Sequence, residues 1–324
     1  MGPSLADKLS DQDFVVLDGG LATELERRGC DLRHRLWSAR LLSERPDAIR
    51  DVHLAYLRAG ADCVTTAAYQ ASVPGFVAAG HAPAAAEQLY RSSVRLAFEA
   101  RRAWCQERSV REDDRAAPVV AMSIGSYGAY LADGSEYRGR YAASATEVRA
   151  FHRERLALAV DELRQWTEQP LLAFETVPSL GEAEVLVELL AEHPGVAAWL
   201  SFSCAGSRQT AEGQPLAQCA RRLAASPQLV AVGVNCTPAR DVSALLEALA
   251  NRETPVIAYP NGGGDYDAVA KRWVGGDAAP GAVEFDDWLR RGARGIGGCC
   301  RTTPESIARL VAFRGQGGGR SPAG

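Results

Sequence analysis

Short apolar runs recur along the chain and alternate with longer stretches of helical periodicity. Most of the runs are continuously apolar rather than strictly alternating, which is typical of parallel strands covered on both faces. Eight such runs lie at 14–17, 63–66, 119–124, 171–174, 196–202, 230–234, 256–259 and 294–296. The pattern predicts eight β-strands separated by helical segments.

The stretch 146–168 is typical of the helical segments. Its apolar positions, from Val148 to Trp166, share one face at helical spacing, with Arg155 as an exception that we expect at the edge of the surface. Ser179 followed by Glu182 predicts a capping box at the start of the next helix.

Two Thr-Pro pairs give further helix starts. Thr237-Pro238 and Thr303-Pro304 each resemble an N-cap residue followed by proline in the first helical position. We therefore expect helices to begin at both places.

Eight strand–helix repeats without a long insertion predict one α/β domain, a single (β/α)8 TIM barrel over residues 1–314. Residues 315–324 are predicted to form a disordered Gly-rich tail. A doubly wound open sheet is the alternative, but no G-x-G-x-x-G follows the first strand. The Gly- and Tyr-rich stretch 125–141 is long enough to form a functional loop over the barrel mouth.

Charge and composition narrow the function. The net charge of −4 gives no reason to expect nucleic acid or an anionic membrane as a partner. The sequence shows no signal peptide and no apolar run near the ~18 residues of a membrane span. We therefore expect a cytoplasmic protein whose eight cysteines are packing residues, metal ligands or catalytic thiols rather than disulfides. The oligomeric state is left open.

The candidate chemistry lies at the predicted strand ends, where TIM barrels gather their functional groups. Cys236 follows strand six, and Cys299 and Cys300 follow strand eight. Three thiolates with one open position are typical of a catalytic zinc site. Gly297-Gly298 is expected to let the backbone turn so that both neighbouring cysteines reach one ion, and the helix starts nearby are expected to favour thiolate. Spacing alone also allows an incidental or redox pair.

Other reaction classes receive less support. Lys8 and Lys271 are the only lysines, and neither lies at a predicted strand end, which disfavours a Schiff-base mechanism. No G-x-S-x-G is present, which disfavours a serine hydrolase. A zinc- or amino-acid-binding protein without turnover is compatible with the sequence.

Segments along almost the whole chain resemble, in order, the homocysteine S-methyltransferase family. They are LDGGLATELERRGCDL (17–32), LWSARLL (36–42), AGADCVTTAAYQAS (59–72), SIGSYGAYLADGSEYRGRY (123–141), FETVPS (174–179), GVNCTP (233–238), AYPNGGGDYD (258–267) and GGCCRTTPESI (297–307). The resemblance implies Zn2+ at Cys236, Cys299 and Cys300, homocysteine as methyl acceptor and methionine as product. The segment 123–141 resembles the branch that uses S-methylmethionine, which implies that donor first and S-adenosylmethionine second.

The family match also implies a pocket for the amino acid. Glu175 is expected to bind the homocysteine ammonium, with an ion pair supporting a loop as its alternative. Asp18, with Gly19 and Gly20, is expected to shape the pocket, and capping of the following loop is the alternative for Asp18. Asn235 is expected either to contact substrate or to support a metal ligand.

Three aromatic residues are candidates for the donor side of the site. They are Trp37, Tyr69 and Tyr127. Each has packing as its alternative role.

Overall fold

The structure is a computed structural model that describes residues 2–250, 253–267, 272–275 and 279–318. The strands are β1 Val15–Val16, β2 Cys63–Thr65, β3 Val119–Gly125, β4 Leu171–Val177, β5 Ala197–Phe202, β6 Leu229–Pro238, β7 Val256–Asn261, β8 Asp265–Asp267, β9 Arg272–Val274 and β10 Ala293–Ile296. All of these except β8 and β9 form a ring of parallel strands in the order β1-β10-β7-β6-β5-β4-β3-β2, and a bridge between Leu17 and Cys63 joins its two ends. The predicted (β/α)8 barrel is thereby confirmed.

Helices surround the ring. They are α1 Leu5–Asp11, α2 Leu21–Arg27, α3 Leu41–Glu44, α4 Pro46–Arg58, α5 Val73–Ala78, α6 Pro83–Arg108, α7 Tyr127–Leu131, α8 Ala145–Trp166, α9 Leu180–Ala191, α10 Leu216–Leu223, α11 Ala239–Leu249, α12 Ala282–Arg290 and α13 Pro304–Gly315, with 3-10 turns at Trp37–Arg40 and Ser135–Tyr137. In the described part of the chain, no helix is both long and apolar enough to cross a membrane.

The apolar core has an inner and an outer layer. Inside the barrel, Trp199 and Ile257 pack with inward-facing residues of the other strands, and Leu5 and Leu9 of α1 join this cluster. The outer layer lies between the strands and the surrounding helices. Because both faces of the strands are covered, their sequences are continuously apolar.

Two elements were absent from the sequence prediction. Helix α1 supplies part of the inner core, and β8 pairs with β9 as a small antiparallel hairpin after β7. Residues 319–324 of the predicted tail lie outside the described residues, and α13 extends to Gly315.

The helix starts agree with the sequence in part. Thr303 is the N-cap of α13 and Pro304 is its first residue, as predicted. Strand β6 instead continues through Pro238, so α11 begins at Ala239 with Pro238 in the cap position. The Thr237 hydroxyl donates to the Asn235 carbonyl at 3.1 Å, and this contact replaces the predicted cap.

The predicted capping box of α9 forms only by half. The Ser179 hydroxyl accepts from the Glu182 amide at 3.2 Å, but the Glu182 carboxylate does not return to the cap residue. It bonds instead to Tyr127 N, Tyr141 and His152.

Arg155 is buried, which corrects its predicted place at the surface edge. Its guanidinium donates to the carbonyl oxygens of Gly125 at 2.7 Å, Ala68 at 2.6 Å and Tyr69 at 2.8 Å. These carbonyls belong to the end of β3 and the loop after β2. Helix α8 therefore holds two strand ends through one side chain.

We expect Arg155→Met to lower the free energy of unfolding by about 2–4 kcal/mol, because three carbonyls lose charged donors. The matched control is Arg153→Met on the same helix, where an exposed Arg153 pairs with Glu192. Such surface pairs contribute about 0–1 kcal/mol. Urea denaturation of both variants makes the comparison, and equal stabilities would contradict the anchoring role of Arg155.

Candidate metal and substrate site

Three cysteine sulfurs meet at the carboxyl ends of the strands. The Sγ atoms of Cys236, Cys299 and Cys300 all lie within 4.8 Å of one another, and those of Cys236 and Cys300 are 3.6 Å apart. Cys236 comes from β6, and the other two follow β10, on the far side of β7. The predicted convergence of these residues is therefore present.

Cys236 and Cys299 form a disulfide in this structure, which corrects the expectation of reduced cysteines. Their Cα atoms are 5.4 Å apart, a separation that suits a disulfide. The same convergence that brings three sulfurs together thus brings two of them within reach of a disulfide. A three-thiol metal site requires this bond to be reduced.

The strand β7 positions both sides of the sulfur cluster. Cys299 N donates to the Pro260 carbonyl at 2.8 Å, and Gly262 N donates to the Cys300 carbonyl at 2.8 Å. Cys236 has a φ of 47°, an uncommon value for a residue other than glycine. The side chain of Asn261, the last residue of β7, donates to the Cys236 carbonyl at 3.4 Å, so β7 and the residue that follows it contact the backbone of all three cysteines.

The glycines before the cysteine pair serve close packing. A Cβ on Gly297 would lie 2.6 Å from the Leu17 Cβ, and one on Gly20 would lie 2.5 Å from the Cys299 carbonyl oxygen. The left-handed residue of this turn is Arg301, with a φ of 63°. The turn that the sequence predicts at Gly297-Gly298 therefore lies at Arg301. The glycines instead leave room for β1 and the loop that follows it.

Burial dominates the electrostatics of the thiols. It raises the pKa of the Cys300 thiol to about 12, and the Glu136 carboxylate acts in the same direction. The predicted effect of the helix starts, which would favour thiolate, is outweighed. A cation at the cluster would reverse this balance, because coordination deprotonates a thiol.

Two buried carboxylates lie beside the sulfur cluster. Burial raises the pKa of Asp18 to about 8 and that of Glu175 to about 7. Asp18 accepts from Thr65 N at 2.8 Å and from the Thr65 hydroxyl at 3.2 Å. Glu175 accepts hydrogen bonds from the hydroxyls of Ser123 and Tyr259. These bonds favour the ionised forms without cancelling the cost of burial.

Asn235 is fully engaged with its neighbours. Its Oδ1 accepts from Thr176 N at 2.7 Å and from the Ser201 hydroxyl at 2.9 Å, and its Nδ2 donates to the Thr176 hydroxyl at 2.8 Å. Thr176 has a φ of 56°, a strained value for a β-branched residue. Asn235 therefore fixes the backbone next to Glu175.

The structure brings almost all predicted site residues to one cavity. Its lining includes Asp18, Gly19, Gly20, Trp37, Tyr69, Glu175, Asn235, Cys236, Cys299 and Cys300. Tyr127 is not in this lining, and its ring packs against those of Tyr130, Tyr141 and Phe151. Its side chain therefore takes the packing alternative.

Several lining residues were not singled out from the sequence. They are Gln70, Ser123, Ala132, Gly134, Glu136, Tyr137 and Tyr259, together with Leu21, Ala22 and Thr23 of α2 and Ser38 of the following 3-10 turn. Glu136 and Tyr137 lie within the stretch that was predicted to cover the mouth, so that prediction contained their signal. Ser123 and Tyr259 stand inside strands, where an isolated polar residue among apolar ones was the available sign.

The buried carboxylates should make stability fall as pH rises. A carboxyl whose folded pKa is raised above its unfolded pKa stabilises the protein below the unfolded value, and this contribution is lost as pH rises through the folded pKa. We expect Glu175→Gln to raise the free energy of unfolding at pH 9 by about 1–3 kcal/mol, and to lessen its decline between about pH 4 and 7, the unfolded and folded pKa values of Glu175. Denaturation of reduced, chelator-treated protein from about pH 4 to pH 9 measures both effects.

Glu188→Gln is the matched control, because Glu188 is an exposed partner of Arg149. It should leave the pH dependence as in the unsubstituted protein. Identical pH slopes for Glu175→Gln and the unsubstituted protein would contradict the burial cost at Glu175.

Comparison with known proteins gives the family that the sequence segments resemble. The chain matches the family model for homocysteine S-methyltransferase over residues 15–313. It is 45% identical over 303 residues to homocysteine S-methyltransferase YbgG of Bacillus subtilis, covering 93% of this chain and 94% of that protein. It is 44% identical to crystal structures of the homocysteine methyltransferase MmuM from Escherichia coli in metallated and oxidized forms, each with a TM-score of 0.81 and covering 94% of this chain and 97% of that one.

The sulfur cluster, together with a metallated relative of the same fold, supports a metal centre at the mouth of the barrel. The match to the family extends over nearly all of the chain. The protein is therefore a methyltransferase that acts on small molecules, and it belongs to the homocysteine S-methyltransferase family.

Proposed function

We propose that this enzyme transfers a methyl group from a methylsulfonium donor to the thiol of L-homocysteine, giving methionine, with zinc held by Cys236, Cys299 and Cys300. The observation that carries the proposal is the placement of three converging sulfurs and two buried carboxylates in one cavity. The sulfurs suit a metal that activates a thiol, and the carboxylates suit the ammonium of an amino acid.

The three cysteines fit zinc. Zinc favours thiolate ligands, and a Zn–S bond of about 2.3 Å in a tetrahedron implies sulfurs about 3.8 Å apart. The Cys236 and Cys300 sulfurs, 3.6 Å apart, are close to this separation. When bound, zinc supplies the positive charge that deprotonates an incoming thiol.

The acceptor side is built from the carboxylates. We assign the homocysteine ammonium to Glu175, because a cation offsets the burial that raises its pKa. Asp18 adds a second negative charge while its oxygens stay oriented by Thr65. Binding of the ammonium should therefore favour ionisation of both groups.

The methyl carbon would pass in line from one sulfur to another. The deprotonated acceptor sulfur forms the new S–C bond while the bond between the methyl carbon and the donor sulfur breaks. The electron pair of the broken bond stays on the donor sulfur, which leaves as a thioether. Because the leaving group departs neutral, the step needs no general acid. The protein contributes alignment of the two reactants at short distance.

We assign the donor as S-methylmethionine first and S-adenosylmethionine second. Trp37 and Tyr69 line the cavity with their rings edge to face, 6.3 Å between centroids. Aromatic faces attract a sulfonium cation by about 0.5–2 kcal/mol and lose that attraction once the product is neutral. The resemblance of residues 123–141 to the S-methylmethionine branch supports the order of the two donors.

We place the working enzyme in the reducing cytoplasm. The Cys236–Cys299 disulfide and the zinc site use the same sulfurs, so they exclude one another. A reducing compartment keeps thiols available for metal.

We expect serine at Cys236, Cys299 or Cys300 to lower zinc content and methyl transfer together, because each thiolate contributes to one shared site. Cys63→Ser is the control, since Cys63 is buried within the inner core and lies outside the cluster. Zinc measured by atomic emission and methionine measured by chromatography make the comparison. Full activity after metal is stripped and excluded would falsify the zinc assignment.

Glu175→Gln should separate the two halves of the site. We expect it to retain zinc and to weaken homocysteine binding by about 1–3 kcal/mol, the scale of a lost hydrogen bond to a charged group. Calorimetric titration with homocysteine measures this loss. Loss of zinc with normal homocysteine affinity after reconstitution would contradict the ammonium assignment.

The donor assignment is tested with a panel at saturating homocysteine. We expect kcat/KM to be highest for S-methylmethionine, lower for S-adenosylmethionine and lowest for betaine and methyltetrahydrofolate, because only the first two are methylsulfonium cations. A preference for betaine or the folate would contradict the donor assignment and leave the zinc–thiol chemistry in place.

A further inference from the structure

Residues 127–141, here called the mouth segment, cover one side of the cavity. The segment starts with α7, passes through the 3-10 turn Ser135–Tyr137 and ends just before α8. Ala132, Gly134, Glu136 and Tyr137 lie in the cavity lining. This part of the lining comes from outside the barrel strands, so other contacts must hold it in place.

One carboxylate contacts both ends of the mouth segment. Glu182 Oε1 accepts from Tyr127 N at 2.6 Å, and Glu182 Oε2 accepts from the Tyr141 hydroxyl at 2.6 Å. The third partner is His152 on α8, whose Nε2 lies 2.8 Å from Oε1. Glu182 therefore closes the segment into a loop at its base.

This carboxylate is almost wholly removed from water. The side chains of Glu182 and His152 are 2% and 0% exposed. Burial lowers the pKa of His152, although Glu182 opposes this effect and Arg155 adds to it. A neutral His152 donates through Nε2, which gives the Glu182 carboxylate three donors. A buried carboxylate needs such partners, so the removal of one is costly.

Other pairs hold the two helices together. Arg149–Glu188 and Arg153–Glu192 link α8 to the α9 region at the surface. Glu182 also gives up the usual return bond to its own helix cap. The contacts of its side chain thus go to the mouth segment and His152 instead of to the start of α9.

The middle of the mouth segment, opposite its base, contacts the sulfur cluster. The Tyr137 hydroxyl donates to Cys236 Sγ at 3.7 Å, and the Ser203 hydroxyl donates to the Glu136 carbonyl at 2.6 Å. A Cβ on Gly128 would meet the backbone of Ser135 and Glu136 at less than 3 Å, so the segment is folded tightly on itself. A shift at its base would be transmitted to Glu136 and Tyr137.

We propose that Glu182 is a positioning residue that holds the mouth segment as the donor side of the cavity. Glu175 and Asp18, which we assign to the acceptor, lie at strand ends and do not contact Glu182, so the side that the mouth segment covers is left for the donor. Loss of the Glu182 side chain should therefore weaken binding of the donor and leave binding of the acceptor unchanged. This inference rests on the proposed methyl transfer, but the order of the segment can be measured without it.

The experiment compares Glu182→Ala, Tyr141→Phe and the surface control Glu188→Ala. Tyr141→Phe keeps the ring and removes one hydrogen bond, so it tests the tie if Glu182→Ala folds poorly. We expect Glu182→Ala to raise KM for S-methylmethionine about tenfold, and Tyr141→Phe to raise it less. KM for homocysteine should change less than about twofold, and Glu188→Ala should match the unsubstituted enzyme.

Hydrogen exchange of zinc-loaded enzyme is the second measurement. Amides of residues 127–141 should exchange faster in Glu182→Ala and Tyr141→Phe, while the barrel strands stay protected. Unchanged exchange in both variants, or faster exchange with an unchanged donor KM, would overturn the inference. Equal increases in KM for donor and acceptor would also overturn it. If the unsubstituted enzyme transferred no methyl group from a sulfonium, the proposed function would be wrong. Hydrogen exchange would then still show whether Glu182 holds the mouth segment in place.

Discussion

The site depends on the position of β7 between β6 and β10. Parallel strands end on the same side of the barrel, so residues that follow β6 and β10 are brought to the two flanks of one strand. The carbonyl of Pro260 holds Cys299, and the Gly262 amide holds Cys300. The sulfur of Cys236 and those of the adjacent Cys299 and Cys300, more than sixty residues further along the chain, are thereby held within 4.8 Å of one another. Without the closed ring, neither the sulfur cluster nor the carboxylates beside it would have fixed neighbours.

The two buried carboxylates of the site lower the stability of the folded protein while no substrate is bound. Asp18 and Glu175 are buried, and their hydrogen bonds only partly offset the desolvation of their charges. Asn235 adds a second cost, because it holds Thr176 at a strained φ beside Glu175. A cationic group on the substrate would relieve the first cost. Binding energy and the instability of the empty pocket are therefore two aspects of the same arrangement.

The sequence was sufficient for the barrel and for the centre of the site. Continuous apolar runs marked every strand of the ring, and strand ends marked Glu175 and the cysteines. The sequence was insufficient where a side chain forms its hydrogen bonds with residues distant in sequence instead of with its own helix or with solvent. Arg155 and Glu182 both follow local rules that predict surface or cap positions, but the tertiary fold offers them buried partners. The hairpin of β8 and β9 and the inner role of α1 also depend on contacts that no local pattern encodes. The sequence also provided no measure of burial, which raises the pKa of the Cys300 thiol.

The two sides of the cavity are held by different means. One side consists of strand ends whose backbone is hydrogen-bonded to neighbouring strands of the ring, so a single side-chain substitution leaves most of its supports in place. The other side includes the mouth segment, whose two ends converge on one buried carboxylate, and that carboxylate lies outside the cavity lining. Substitutions at the base of the segment can therefore alter one side of the cavity without changing the residues that line it. The sulfur cluster and the buried carboxylates, by contrast, lie at strand ends that the barrel itself fixes. The fold thus allows the mouth segment to change while the arrangement of sulfurs and carboxylates is retained.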